Sequence, residues 1–333
     1  MSPTKPPTDI AIIEVVDGHI AHIDDELLRD AEDFARKSKS PRTLALYEWA
    51  FHRFVTFCEN KKLQSLPAAP KTVAVYLANE AKAGLKPATI AILRAAIASA
   101  HRLDGHAPLP TDAEMVRAVL AGIRREKGVA PERKAALTID LLRRICHGLG
   151  SSLVETRDRA LLTLGFALAA RRSELVGLDV RHIATHERGL VVTIARSKTD
   201  QEGRGYRVPV GFGSSEQTCP VRAIDAYVTN ADIVDGPLFR SIHGRAIGET
   251  RLQGRAVARI VQKRVGEILG KEAAKSFSGH SIRSGTITSA AQAGVPSHQI
   301  REISRHASTA ILESVYVRPA RIWDRDLVKR MGL

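Results

Sequence analysis

A chain of 333 residues exceeds one ordinary domain and fits two, and a hydrophobic fraction of 44% supplies real cores, which excludes a disordered arm. Lysine and arginine outnumber aspartate and glutamate by 50 to 36. The resulting net charge of +14 points to a polyanionic partner, nucleic acid ahead of an anionic membrane.

The opening MSPTKPPTDI is Pro-rich and polar and has no secretory pattern, so residues 1–23 read as a disordered tail. Residues 24–127 read as a helical domain. Ser40-Pro41 is a helix start, and Leu44, Tyr47, Phe51, Phe54, Val55 and Cys58 then recur at helical spacing. A second helix follows Pro70, and a third carries Ile90, Leu93, Ile97 and Ala100. A fourth starts at Thr111, with Glu114 as its capping-box partner, and buries Met115, Val119 and Ile123. It ends in Arg124-Arg125-Glu126-Lys127, and basic residues left outside such a bundle can face a duplex.

Residues 128–136, GVAPERKAA, have the Gly, Pro and charge of a linker, and 137–333 form a second domain. There the pattern predicts helices near 138–149 and 155–170, then strands at 190–197 and 206–210 joined by the turn KTDQEGRG. Helices return near 219–230, 250–269, 280–293, 296–304 and 308–315. The longest apolar run, 160–170, is too short to span a bilayer and reads as a buried helix. The fold class is mainly α with a small antiparallel β-sheet. Cys58, Cys146 and Cys219 are odd in number and without CxxC, which reads as reduced structural thiols in a cytosolic compartment.

A phosphodiester gains charge in its transition state, so it calls for guanidinium groups, a nucleophile and an acid for the leaving oxygen. His280 and Arg283, three apart, share a helix face and can meet one anion. His306 and Tyr316 follow within one helical hairpin. Arg171 ends a buried helix, where an arginine must be paired or have a task, and Glu174 is its structural partner by spacing. Lys198 lies at a hairpin tip, where a lysine is ordinarily a solvated edge charge. Taken singly, each residue has such an ordinary reading, and single histidines in helical proteins are mostly structural. His182 and His186 have the spacing of a helical metal pair, but their segment reads as a connection and lacks an HExxH order, so no metal site is assigned. No phosphate-binding GxxxxGK[ST] loop occurs, and ATP is not implied.

The ordered set is more specific than its members. Arg171 in RRSELVGL, Lys198 in a β-turn, His280-x-x-Arg283 in SGHSIRSG, His306 in ISRHAS and Tyr316 in YVR together resemble the tyrosine recombinase (phage integrase) family. The likeness covers about residues 24–320. It implies a SAM-like helical core-binding domain and an α+β catalytic domain forming a C-shaped clamp on double-stranded DNA. It also implies a nucleophilic Tyr316 forming a 3′-phosphotyrosyl link. Arg171, Arg283 and His306 would hold the phosphate, Lys198 would protonate the leaving oxygen, His280 would help deprotonate Tyr316 or orient the phosphate, and Glu174 would position these groups. Arg172 is open as the first clamp on residues alone, and the family spacing to SEL selects Arg171.

The implied function is site-specific recombination between two sites with inverted-repeat arms. It implies a dimer per site and a homotetramer on two, no cofactor, metal or ATP, no membrane, and a cytoplasmic, nucleoid-associated location. A C-terminal helix with Ile322, Trp323, Leu327 and Val328 is expected to dock on a neighbouring protomer. A topoisomerase IB-like nicking-closing enzyme and a non-catalytic DNA-binding protein stay open as alternatives. One departure is a spacing of ten, not nine, residues from His306 to Tyr316, with the extra residue expected in the turn or helix between them.

Overall fold

The computed structural model describes residues 13–16, 19–22, 26–27, 29–30, 33–34, 38–128, 133–195, 205–244, 246–306, 308–317, 328 and 331. Two expectations therefore lie outside the described residues, Lys198 and most of the C-terminal helix with Trp323. The chain divides into two compact units, Met1–Pro131 and Glu132–Leu333.

In the first unit, Ile13–Val16 (β1) pairs antiparallel with His19–His22 (β2), within the stretch expected to be a tail. Helix α1 (Pro41–Asn60) starts as the sequence predicts, with the Ser40 hydroxyl accepting from the Thr43 amide at 3.3 Å and Pro41 in the first turn. Helices α2 (Pro70–Lys82), α3 (Pro87–Leu103) and α4 (Glu114–Lys127) complete a bundle. Its core holds Phe54, Tyr76, Leu77, Ile90, Leu93, Ile97 and Val116. The Tyr76 ring lies 5.0 Å from that of Phe54 and 5.1 Å from that of Phe57.

The start of α4 corrects the sequence reading. Thr111 belongs to a buried 3₁₀ turn, Pro110–Asp112, and Ala113 is the N-cap, so no capping box forms. Met115 is 50% exposed, and Val116 is wholly buried in its place. Counting from Val116, the residues 119, 120 and 123 fall on one helical stripe, which rotates Met115 off it.

The second unit begins with α5 (Ile139–Gly148) and α6 (Leu153–Ala167). A Ser152–Glu155 capping box starts α6, and it ends three residues short of the expected 170 because Ala169 turns left-handed, φ 43°. A three-stranded antiparallel sheet follows, β3 (Ile183–His186), β4 (Gly189–Ile194) and β5 (Tyr206–Gly211). Leu190 pairs with Val210 and Val192 with Val208, all four buried against the core, as their alternation predicts.

Strand β3 occupies the segment read as a connection, and β6 (Arg240–His243) and β7 (Ala246–Arg251) precede the helix expected from 250. These short strands are mostly exposed and polar, so they carry no alternating signal. Helices α8 (Pro220–Asn230), α9 (Gly254–Leu269), α10 (Lys271–Ala274), α11 (Ser281–Gln292), α12 (Ser297–Ser304) and α13 (Thr309–Leu312) complete the unit.

Two features fix the frame of the second unit. Asp158, 1% exposed inside α6, accepts from Arg157 at 2.7 Å and from Arg264 of α9 at 2.8 Å, and Arg264 also meets Glu267 at 3.0 Å. The segment before α5 lies against α11, where the Leu137 amide donates to the Ser281 carbonyl at 2.9 Å. That approach requires Gly285, because a Cβ there would sit 1.7 Å from the Leu137 carbonyl oxygen.

Candidate active site

The second unit gathers six of the predicted residues. Helix α6 breaks at the left-handed Ala169, and Arg171 then caps the short helix α7 (Arg172–Val176). Arg283 projects from the first turn of α11 and is 1% exposed. It donates from Nη1 to the Ala169 carbonyl at 2.7 Å and from Nη2 to the Ser304 carbonyl, so one guanidinium ties the break after α6 to the end of α12. Its Nη2 also lies 3.4 Å from His306 Nδ1. The Ser304 hydroxyl fixes the same imidazole nitrogen at 2.7 Å.

His280 stands at the N-cap of α11 rather than within it, and it still shares a face with Arg283. Its Nε2 lies 2.9 Å from the Tyr316 hydroxyl. The Tyr316 ring also meets His306, with centroids 5.8 Å apart and planes at 53°. Tyr316 is carried by a π-helical turn, Glu313–Val317, directly after α13. Such a turn closes i to i+5 and so holds one residue more than an α-turn. Arg133 steadies the turn by donating to the Val315 carbonyl at 3.0 Å.

Arg171 realises its ordinary reading and faces the site as well. Its Nη1 donates to Glu174 Oε1 at 2.6 Å, its amide to Glu174 Oε2 at 2.9 Å, and its Nη2 to the Arg305 carbonyl at 3.3 Å. Arg172, the alternative clamp, is exposed and packs its stem near Gly279. Sequence reasoning missed Arg305, whose side chain is 6% exposed and donates to Glu174 Oε2 at 2.8 Å. Its only signal was its place immediately before His306. His182 and His186 do not meet the site. Each accepts a local backbone hydrogen bond, from Asp179 at 3.0 Å and from Arg188 at 3.1 Å.

The electrostatics favour neutral imidazoles beside fixed positive charge. Burial, then Arg283, Arg171 and the neighbouring charges, lowers His306 to about 4. Burial, then Arg283, Arg171 and Arg172, also lowers His280. His280 keeps an exposed surface, but the three guanidiniums press in the same direction as burial, so the direction holds. Burial raises Tyr316, with Arg283 and Arg133 opposing it. Burial likewise opposes the charge of Glu174, yet Arg305 and Arg171 outweigh it and hold the carboxyl below its ordinary value. Burial brings Arg283 down to about 10, still a cation at neutral pH. Two guanidiniums, of Arg171 and Arg305, thus hold a single carboxylate, Arg283 adds a third positive charge beside His306, and a tyrosine hydroxyl is bonded to a neutral imidazole. This arrangement can hold an anion and withdraw a proton from a phenol.

The chain is similar to known proteins. A model of the phage integrase family matches residues 136–321. The chain is 33% identical over 302 residues to an integrase/recombinase, a XerD homologue, of Selenomonas ruminantium, spanning 89% of this chain and 86% of that one. It is 32% identical over 157 residues to the tyrosine recombinase XerC of Pelobacter propionicus, 46% of this chain and 44% of the other. Among solved structures, a Tn1549 transposon integrase in complex with transposon right end DNA superposes with a TM-score of 0.59 at 15% identity, covering 91% of this chain and 98% of that one. A XerH site-specific recombinase bound to a palindromic difH substrate gives a TM-score of 0.57 at 16% identity, covering 87% and 78%. At such identities the structural likeness bears on the fold.

Proposed function

Because this chain belongs to the phage integrase family of tyrosine recombinases, we propose that it recombines DNA at specific sites with Tyr316 as its nucleophile. The observation that carries this reading is the 2.9 Å contact between the Tyr316 hydroxyl and His280 Nε2, set beside Arg283 and His306. Neutral His280 accepts the phenolic proton as the Tyr316 oxygen attacks the scissile phosphorus. The bond from phosphorus to the 5′-oxygen breaks, leaving a 3′-phosphotyrosyl link. Lys198, which falls between β4 and β5 in sequence, gives its proton to the departing 5′-oxygen. Arg171 and Arg283 hold the non-bridging oxygens as charge grows on them, and neutral His306 adds a hydrogen bond. Glu174 positions Arg171.

The phosphotyrosyl bond conserves the energy of the broken ester, so a 5′-hydroxyl from a second site can rejoin without ATP or metal. The partner is duplex DNA with inverted-repeat arms of roughly one helical turn each. Two protomers occupy one site and four occupy a pair. The relatives solved on DNA support the choice of partner. The helical domain of residues 24–127 supplies a second DNA contact, with Arg124, Arg125 and Lys127 exposed at the end of α4. The C-terminal segment with Trp323 docks on the neighbouring protomer.

A nicked suicide duplex tests the chemistry. Wild-type protein should form an adduct that survives detergent, and Tyr316→Phe should form none while its DNA affinity stays within about twofold, since the change removes one hydroxyl and no cation. No wild-type adduct would refute the enzyme reading, and an adduct from Tyr316→Phe would refute the nucleophile. Strand exchange between two sites, rather than relaxation of any supercoiled plasmid, separates a recombinase from a nicking-closing enzyme.

A further inference from the structure

The residue before His306 is the least expected member of the cluster. Arg305 adopts the left-handed conformation, φ 55° and ψ 44°, which favours glycine and is strained for a residue with a Cβ. A long charged side chain in such a backbone, almost wholly buried, needs compensating contacts. It has several. Both terminal nitrogens donate to the Leu168 carbonyl at 3.2 Å, Nη1 donates to the Ile303 carbonyl at 2.7 Å, and Nη2 donates to Glu174 Oε2 at 2.8 Å. Its own carbonyl accepts from Arg171 Nη2. The guanidinium lies 5.9 Å from the Tyr206 ring centroid, and the Tyr206 hydroxyl donates to the Glu302 carbonyl at 3.4 Å. Tyr206 pairs with Ile194 at the root of the hairpin that contains Lys198 in sequence.

We propose that Arg305 is a positioning residue that locks the Arg171 clamp, the His306 turn and the root of the β4–β5 hairpin into one assembly, and so sets the rate of strand cleavage. The proposal rests on the recombinase reading and deepens it. Glu174 has two oxygens, and Arg305 occupies one of them, which leaves Arg171 a single side-chain contact to the carboxylate. Without Arg305, Glu174 Oε2 keeps only the Arg171 amide and is open to the second arm of the Arg171 guanidinium, a preferred fork geometry, and the clamp turns away from the phosphate. The site also loses one of the cations that keep His306 neutral.

Arg305→Gly suits the left-handed backbone and removes only the side chain, and Arg305→Lys keeps the charge without the fork. The probe is lightly nicked duplex DNA from the region flanking the gene, with detergent-stable adducts recovered and timed in single turnover. Arg305→Gly should slow adduct formation by about 10²-fold, as a misplaced catalytic group does. Its DNA affinity should stay within about threefold, since no phosphate contact is lost. Arg305→Lys should recover part of the rate, and the His306 ring should titrate higher by NMR in Arg305→Gly than in wild type.

If Arg305→Gly cleaves at the wild-type rate, the positioning role is overturned. Slow cleavage with proportionately weak DNA binding overturns it too, since Arg305 would then be a DNA contact. A rate loss no larger than the loss of thermal stability explains, with Arg305→Lys no better, reduces Arg305 to a structural residue. Failure of the wild type to form any adduct overturns the recombinase reading itself, and this proposal with it.

Discussion

Replacing Gly285 by alanine should damage the catalytic unit more than its single methyl group suggests. The new Cβ would lie 1.7 Å from the Leu137 carbonyl oxygen and 2.4 Å from its carbon, where ordinary contact begins at 3.4 Å. Both partners are backbone, so no side chain can swing aside. The segment carrying Leu137 must move by more than an ångström. That displacement breaks the 2.9 Å bond from the Leu137 amide to the Ser281 carbonyl, a net loss of about 1 kcal/mol. It also lifts the fully buried Leu137 side chain from the core, which forfeits a part of the ~1.5–3 kcal/mol of its burial. The expected destabilisation is therefore about 2–4 kcal/mol. Urea denaturation followed by circular dichroism gives the magnitude, and hydrogen exchange of peptides from residues 137–168 assigns it to the second unit. Gly122→Ala is the matched control, since nothing lies within 4 Å of its Cβ and it sits inside α4. That change should stabilise the first unit by about 0.5–1 kcal/mol. A Gly285→Ala protein within about 0.5 kcal/mol of wild type would refute the steric reasoning.

Asp158→Ala leaves Arg157 buried without its carboxylate and Arg264 with Glu267 alone, and should cost ~3–5 kcal/mol, read by the same denaturation. His280→Ala should slow adduct formation by about 10²–10⁴ while DNA affinity holds, the loss expected of a general base. Because His280 titrates below its ordinary 6.5, wild-type adduct formation should be level around neutral pH and fall only as the solution is acidified past that lowered value. A decline centred at or above 6.5 would remove His280 from the role.

The chemistry-bearing residues were legible because their types and order survive in one dimension. Arg171, His280, Arg283, His306 and Tyr316 announce themselves as groups that bind anions or move protons, and the helical period sets His280 beside Arg283. The stripes of α1 and α3 were legible for the same reason, since each is a local periodicity. What stayed hidden depends on partners remote in sequence. Gly285 looks like any helix glycine until Leu137 is laid across it. Asp158 looks like the polar lip of an apolar run until Arg264 arrives from α9. Arg305 looks like surface charge beside His306 until Glu174 meets it. Strands β6 and β7 escaped because edge strands with polar faces leave no period in the sequence.

The π turn that carries Tyr316 has a consequence for how such sites diverge. An inserted residue in an α-helix rotates everything after it by about 100°, which would throw a nucleophile off its target. A π turn widens the backbone loop by one residue and so can take up such an insertion, and from the turn at Glu313–Val317 the Tyr316 hydroxyl reaches His280. One codon gained or lost at this turn can thus be neutral, with evolution policing the location of an oxygen atom rather than a count of letters. Sequence searches that demand a fixed interval between imidazole and phenol will pass over chains built this way.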